Sequence, residues 1–297
     1  MLLASLAASG GLVALVGGIT ATASTTLTVN STLDGDVALN SDTSCPVACT
    51  LRAAIHVANN VGGTVQINVP AGTYSLSLGE LQVGTFNASQ TSYSVTISGA
   101  GAASTIVNQT DGTNRVFNLD PTLHGNVDVT IDGVTVSGGH DAGDSSGGAG
   151  IIAGFQGGGS TNPDHTTLSN CIVTNNHVSA TTGTGRPGGG VQNEGGDLTI
   201  TNCTISNNSS GSSEGGGVYY DSHSPSTGTL TVSGSTFSGN TLANTSTSFI
   251  GGAGLKVQGV TTAHYLISNS VFTNNVASSS GSGPVGGGGI SSNQGDL

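Results

Sequence analysis

Tryptophan is absent from this chain of 297 residues, aromatic side chains make up 4% of it, and Lys and Arg together number 4. The basic residues stand against 16 Asp and Glu, a formal net charge of −12. That balance excludes electrostatic binding to nucleic acid or to an anionic membrane surface. An anionic polysaccharide would also be repelled unless a metal ion intervened. The scarcity of aromatics counts against both sugar stacking and the signatures of propeller blades. No helical period of 3.6 runs through the body of the chain, no GK[ST] follows any glycine run, and no CxxC pair exists. Phosphate loops and cysteine metal sites are excluded with them.

What the chain has instead is repetition. The stretch GGGVQNEGGDLTITNCTISNN at 188–208 returns in part as VTIDGVTVSGG from Val129, TLSNCIVTNN from Thr167, LTVSGSTFSGN from Leu230 and LISNSVFTNN from Leu266. Aligned, the copies put Ile131, Leu168, Ile200, Val232 and Ile267 in one column and Val136, Val173, Ile205, Phe237 and Phe272 in another. Ile97 extends the first column backwards. Apolar and polar residues alternate within each copy, which predicts strands with one buried face. The phase slips at Asn170, Asn202 and Asn269, where the other copies have Gly133 and Gly234. That exchange predicts a left-handed bend, and stacked bends are expected to align their asparagine amides. Glycine numbers 50 and charged residues are only 7%, a composition that disorder could share. The strict apolar columns argue against disorder. The expected fold is all-β, a right-handed parallel β-helix in which each repeat is one coil, adding about 4.8 Å to its length.

Three segments are expected. Residues 1–23 hold an apolar run ending in Ala21-Thr22-Ala23 and read as a secretory signal, although the positive leading region is missing; the other reading is an uncleaved anchor helix. Residues 24–63 form a cap, and residues 64–297 form the coils. In the cap, Leu51, Ala54, Ile55 and Ala58 fall on one face of a two-turn helix, with Thr50 as its N-cap and the segment 59–62 ending it. Such a helix covers the open end of a solenoid. Cys45 and Cys49 are expected to pair in an exported chain. Cys171 and Cys203 share a column with Val134, Ser235 and Ser270 and read as small buried residues, a stacked disulfide being the alternative.

The cap carries a resemblance. Cys49-Thr50-Leu51-Arg52-Ala53-Ala54-Ile55, with Cys45 upstream and Gly62-Gly63-Thr64-Val65 downstream, resembles the leading segment of CSLREA-domain proteins over about residues 26–110. The repeats, with Phe237–Asn240 and Phe272–Asn275, are similar to those of polymorphic outer-membrane proteins and related adhesins. The resemblance implies a secreted or surface-displayed bacterial β-helix. Where that motif has Glu this chain has Ala53, so half of a capping box is lost.

Length differences between copies concentrate in two rows of loops, where solenoids usually bind. Titratable residues gather there: His140, Asp141 and Asp144, then Asp164 and His165, then Asp221 and His223. An enzyme of the polysaccharide lyase or glycoside hydrolase type would draw on these, with two carboxylates across a groove for hydrolysis. A lyase would want a basic residue such as Arg115 or Arg186 beside an oxygen-ligated Ca²⁺, and an isolated Ca²⁺ site around Asp141 and Asp144 is a separate reading. The competing reading leaves these residues as solvated turn decoration. The leading expectation is an adhesin-like or structural stalk without catalysis, outside the cell, binding a glycan or a host or cell-surface ligand. No cofactor beyond possible Ca²⁺ is expected, and no direct membrane contact by the coils. The last residues, 286–297, repeat the opening of the 188–208 unit, and from this half coil a further cap, anchor or barrel is expected beyond Leu297.

Overall fold

The computed structural model describes residues 24–35, 42–85, 93–123, 125–140, 147–154, 164–179, 187–211, 214–222, 228–244, 249–259 and 265–293. The apolar segment 1–23, expected above to be a secretory signal, lies outside them. No described helix is long and apolar enough to cross a membrane.

The chain is a right-handed parallel β-helix. An 8-stranded first sheet is led by Thr25–Thr28 and continues with one strand from each coil. Two 7-stranded sheets, the second and the third, complete the coil, and a short 4-stranded sheet lies between them in the later coils. Every strand pair among the described residues is parallel, which excludes a propeller. The first-sheet register runs Ile67, Ile97, Ile131, Leu168, Ile200, Val232, Ile267. The second runs Val107, Val136, Val173, Ile205, Phe237, Phe272. Both expected columns are therefore real contacts, and their members from Ile97 to Val232 and from Val107 to Phe237 are buried. A third column follows the glycine runs: Leu81, Phe117, Ile151, Val191, Val218, Leu255, Ile290.

The bends are left-handed as the Asn/Gly exchange requires. Asn170, Asn202 and Asn269 have φ of 52°, 53° and 48°, and Gly133 and Gly234 have 63° and 58°. A second bend, at Asn175, Asn207 and Asn274, was not separable in the sequence. The amide ladder lies elsewhere than expected. At the first bend the side chains face outward, and Asn170 Nδ2 donates to Asp132 Oδ1 at 2.7 Å. The ladder is formed by the residue after the second bend. Asn176, Asn208 and Asn240 each donate from Nδ2 to the next coil's Oδ1 at 3.0, 3.0 and 2.9 Å, ending on Asn275. Each of these Oδ1 atoms also accepts a backbone N–H of the preceding coil. The glycine runs make room for this ladder. A Cβ on Gly190 would stand 2.9 Å from Asn208 Nδ2 and 2.6 Å from the carbonyl of Gly217, closer than real side chains pack. The two halves of the repeat thus recur together because one is the space for the other.

The helix α1 (Leu51–Val61) is longer than the two turns expected. Asn59 does not end it, because its side chain is buried and satisfied by the coils. Asn59 Nδ2 donates to Gln82 O at 2.9 Å, and Asn59 Oδ1 accepts from Gly84 N and Tyr93 OH at 2.9 and 2.8 Å. Gly62, with φ 65°, closes the helix. Thr50 Oγ1 accepts the Ala53 N–H at 3.0 Å, so half of a capping box operates despite Ala53. α1 packs over the strands Gly63–Val69 and Leu81–Val83 at the first coil.

A disulfide joins Cys45 to Cys49, ahead of α1, while Cys171 and Cys203 are free and buried. The latter two continue a polar rung: Cys171 N donates to Cys203 Sγ at 3.4 Å and Cys203 N to Ser235 Oγ at 3.0 Å. Native protein is expected to leave both thiols unlabelled by a small alkylating agent, with two equivalents taken up on denaturation. Rapid native labelling of Cys203 would place this column on the wrong face.

Candidate functional site

The sequence candidates that fall among the described residues, Asp164, His165 and Asp221, do not converge. Asp141, Asp144 and His223 lie outside the described residues, as does Arg186, so the Ca²⁺ pair is not placed. Among the described residues no group of three His, Cys, Asp or Glu side chains is arranged to hold a metal ion. Asp164 and His165 are adjacent but divergent. Asp164 is buried at the entry to the first sheet, where its Oδ1 accepts the Val127 N–H at 3.1 Å. His165 is exposed, with Nδ1 2.8 Å from Asp197 Oδ2, and its Cα partners are Asp128 on one side and Asp197 on the other. Asp221 sits on the third-sheet strand Val218–Ser222, its Oδ2 accepting from Tyr219 OH at 3.1 Å and from Gln258 Nε2 at 3.4 Å. Arg115 is drawn to Glu80, 3.2 Å away, in an earlier coil.

Burial, with the Asp120 charge added to it, pushes the Asp164 carboxyl from 3.8 up to about 7. Because the folded value lies above the unfolded one, the folded state holds this proton more tightly. The stability this contributes is whole below about pH 4 and is lost as pH rises through about 7. Asp164→Asn keeps an acceptor for Val127 without the charge. The variant is expected to match the parent near pH 4 and to exceed it at pH 8, by about 4 kcal/mol. Urea titrations at the two pH values measure this, and equal gains at both would show that Asp164 carries no charge penalty.

A cluster the sequence did not announce lies on the outer side of the third sheet. Its outward column, Ile152, Gln192, Tyr219, Lys256 and Ser291, is buried rather than solvated. Lys256 Nζ stands 3.6 Å from Glu214 Oε1 and 5.3 Å from the centre of the Phe249 ring, and it also bonds Asn293. Burial drives the Lys256 ammonium down and the Glu214 carboxyl up, and their mutual attraction offsets part of each. Lys256 alternates with the buried Leu255 and Val257, so its side chain leaves the core side of the strand. That this outside is covered depends on Glu214, Phe249 and Asn293 from other segments, while Leu242, Ile250 and Ala253 pack as a small second core. The variable segments also open with short strands, such as His177–Val178 and Thr241–Asn244, rather than running as loops throughout.

A cleft of about 600 Å³ separates α1 from the first two coils, with Arg52, His56, Asn59 and Glu80 in its walls. Its principal cation is committed to the fold. Arg52 bonds Asp34 at 2.7 Å and the carbonyls of Glu80 and Gly79 at 2.8 Å each, tying the cap to the first coil.

The broad ordered surface is the outside of the first sheet. Thr96, Thr130, Thr167, Thr199 and Thr231 stack in one register column, with Ser98, Asp132, Ser169, Thr201 and Ser233 two residues on. Across the asparagine bend the second sheet repeats the pattern more loosely, with Thr135, Ile172, Thr204 and Thr236 beside Ser137, Thr174, Ser206 and Ser238. The threonines of the first column are half-buried by one another and open outward. Their recurrence was visible in the repeats, but only the register shows them as a plane.

Fold and surface together define a parallel β-helix protein whose first sheet carries, on its outer face, two hydroxyl-rich columns beside the charged one of Asp128, His165 and Asp197. Comparison of the chain with protein-family models, with curated proteins and with solved structures found no match.

Proposed function

We propose that this chain is a non-catalytic binding or adhesin-like β-helix, displayed or secreted outside the cell, which meets an extended uncharged ligand through the outer face of its first sheet. The observation that carries this reading is the unbroken threonine column with its hydroxyl neighbours, rigidly backed by a buried aliphatic column. The resemblance of the cap to CSLREA-domain proteins and the apolar leader support an exported location. The near absence of Lys and Arg agrees with a neutral partner. A panel of neutral and acidic glycans, insoluble polysaccharides and host cells tests the binding, with reducing-end and unsaturated-product assays run alongside. Retention of the protein by an uncharged extended ligand without turnover is expected. Turnover of any glycan would replace this reading by a lyase or hydrolase. That second reading would draw on Asp164, a buried carboxyl pushed up to about 7 by desolvation and the Asp120 charge, as a general acid's would be. Loss of turnover in Asp164→Asn would identify it.

A further inference from the structure

We propose that the outer face of the first sheet, built on the column Thr96, Thr130, Thr167, Thr199 and Thr231, binds the surface of ice, an assignment that rests on the binding function proposed above. A rigid array with two fixed repeats selects a ligand that is itself periodic in two directions. Here the repeats are about 4.8 Å between coils and about 6.6 Å between outward residues of one strand. Both are on the scale of the oxygen rows on the faces of hexagonal ice.

The chemistry of the face narrows the ligand further. Each threonine presents one hydroxyl and one methyl, so water is hydrogen-bonded at one point and caged at the next. The second column is hydroxyl-rich too, with Thr201 Oγ1 and Ser233 Oγ 3.2 Å apart. Its one charged member, Asp132, is already engaged by Ser169 Oγ at 2.6 Å and Asn170 Nδ2 at 2.7 Å. No aromatic or basic side chain stands in either column from Thr96 to Ser233; the charged residues of this face, Asp128, His165 and Asp197, form the next outward column, which bounds the threonines on one side. A sugar chain would therefore find no stacking platform and an anionic surface no counter-charge. The plane is held still by what lies beneath it. Ile97, Ile131, Leu168, Ile200 and Val232 alternate with the outward residues and are each 0% exposed. Threonine rotamers on such a strand are few, which limits the entropy lost when the lattice is met.

The experiment uses the full chain. The wild type is expected to partition into slowly growing ice, to hold freezing below melting, and to slow recrystallisation of fine-grained ice. Thr167→Tyr and Thr199→Tyr raise a ring out of the plane and are expected to abolish all three effects with an unchanged circular-dichroism melt. Thr241→Tyr, at an exposed position on the fourth sheet, is expected to leave them intact. Should the Tyr variants fail to fold, Thr167→Ser and Thr199→Ser keep the hydroxyls, remove the methyls, and are expected to weaken retention. Exclusion of the wild type from ice overturns the proposal, as does retention that survives the folded Tyr variants or a loss shared by Thr241→Tyr. Binding to a neutral polysaccharide through the same threonines without any effect on ice also overturns it, yet leaves the proposed binding function standing. Silence toward both ligands removes both.

Discussion

Ile200→Asp is expected to destroy the cooperative fold of the coils around it, at a cost above about 5 kcal/mol. Ile200 is 0% exposed, and its register neighbours are Leu168 and Val232, also at 0%. A carboxylate there would face an apolar column with no partner, and protonating it would only exchange one large penalty for another. Ile200→Val, which removes a single methylene, is expected to cost about 1 kcal/mol. Because each coil touches chiefly its neighbours, the damage should be local at first. Hydrogen exchange is expected to lose protection around Leu168–Val232 while coils near α1 keep theirs. Equilibrium denaturation with exchange mass spectrometry reads both quantities. An unchanged midpoint for Ile200→Asp would refute the register itself.

The second large effect separates two identical neighbours. Asn207→Gly is expected to be close to neutral, because Asn207 holds φ of 54° on the exposed side of the bend and other coils use Gly138 and Gly239 there. Asn208→Gly is expected to cost about 4 kcal/mol or more, from several buried hydrogen bonds broken at once and a backbone loosened. Asn208 Oδ1 accepts from Asn176 N and Nδ2, and its own Nδ2 donates to Asn240 Oδ1 and to Val173 O. Asn176 N would lose its acceptor, and Asn176 Nδ2, Asn240 Oδ1 and Val173 O would each lose one bond while buried. Asn208→Asp should be worse still at neutral pH, since a carboxylate cannot donate to the Asn240 and Val173 oxygens. Thermal melts of the three variants side by side measure the contrast. Similar losses for Asn207→Gly and Asn208→Gly would show that the ladder has no special weight.

Much of the fold was legible in the residues alone, for reasons that are local. Period-two alternation names the buried face of a strand whatever it packs against, so the columns of Ile200 and Ile205 could be drawn before any contact was known. The exchange of Asn202 for Gly234 is a statement about φ, which depends on the residue and its immediate neighbours. The start of α1 was equally local, since Thr50 caps its own following turn. Where the sequence reading fell short, the missing term was a distant partner. Asn59 continues the helix because Gln82, Gly84 and Tyr93 receive its amide. The ladder passes through Asn208 rather than Asn202 because the space left by the Gly190 column admits a side chain only there.

The candidate sites divide along the same line. Asp164, His165 and Asp221 were identifiable as polar residues in variable segments, but which of them meets solvent was decided by the turns that enclose Asp164 and expose His165. Lys256 alternated outward as its strand requires. Glu214, Phe249 and Asn293, brought from three other segments, make that outside an interior. The five threonines were present in the repeats from the start. Only parallel stacking in exact register turns their spacing along the chain into a lattice in space, because sequence sets which side a residue faces and tertiary structure sets what stands beside it.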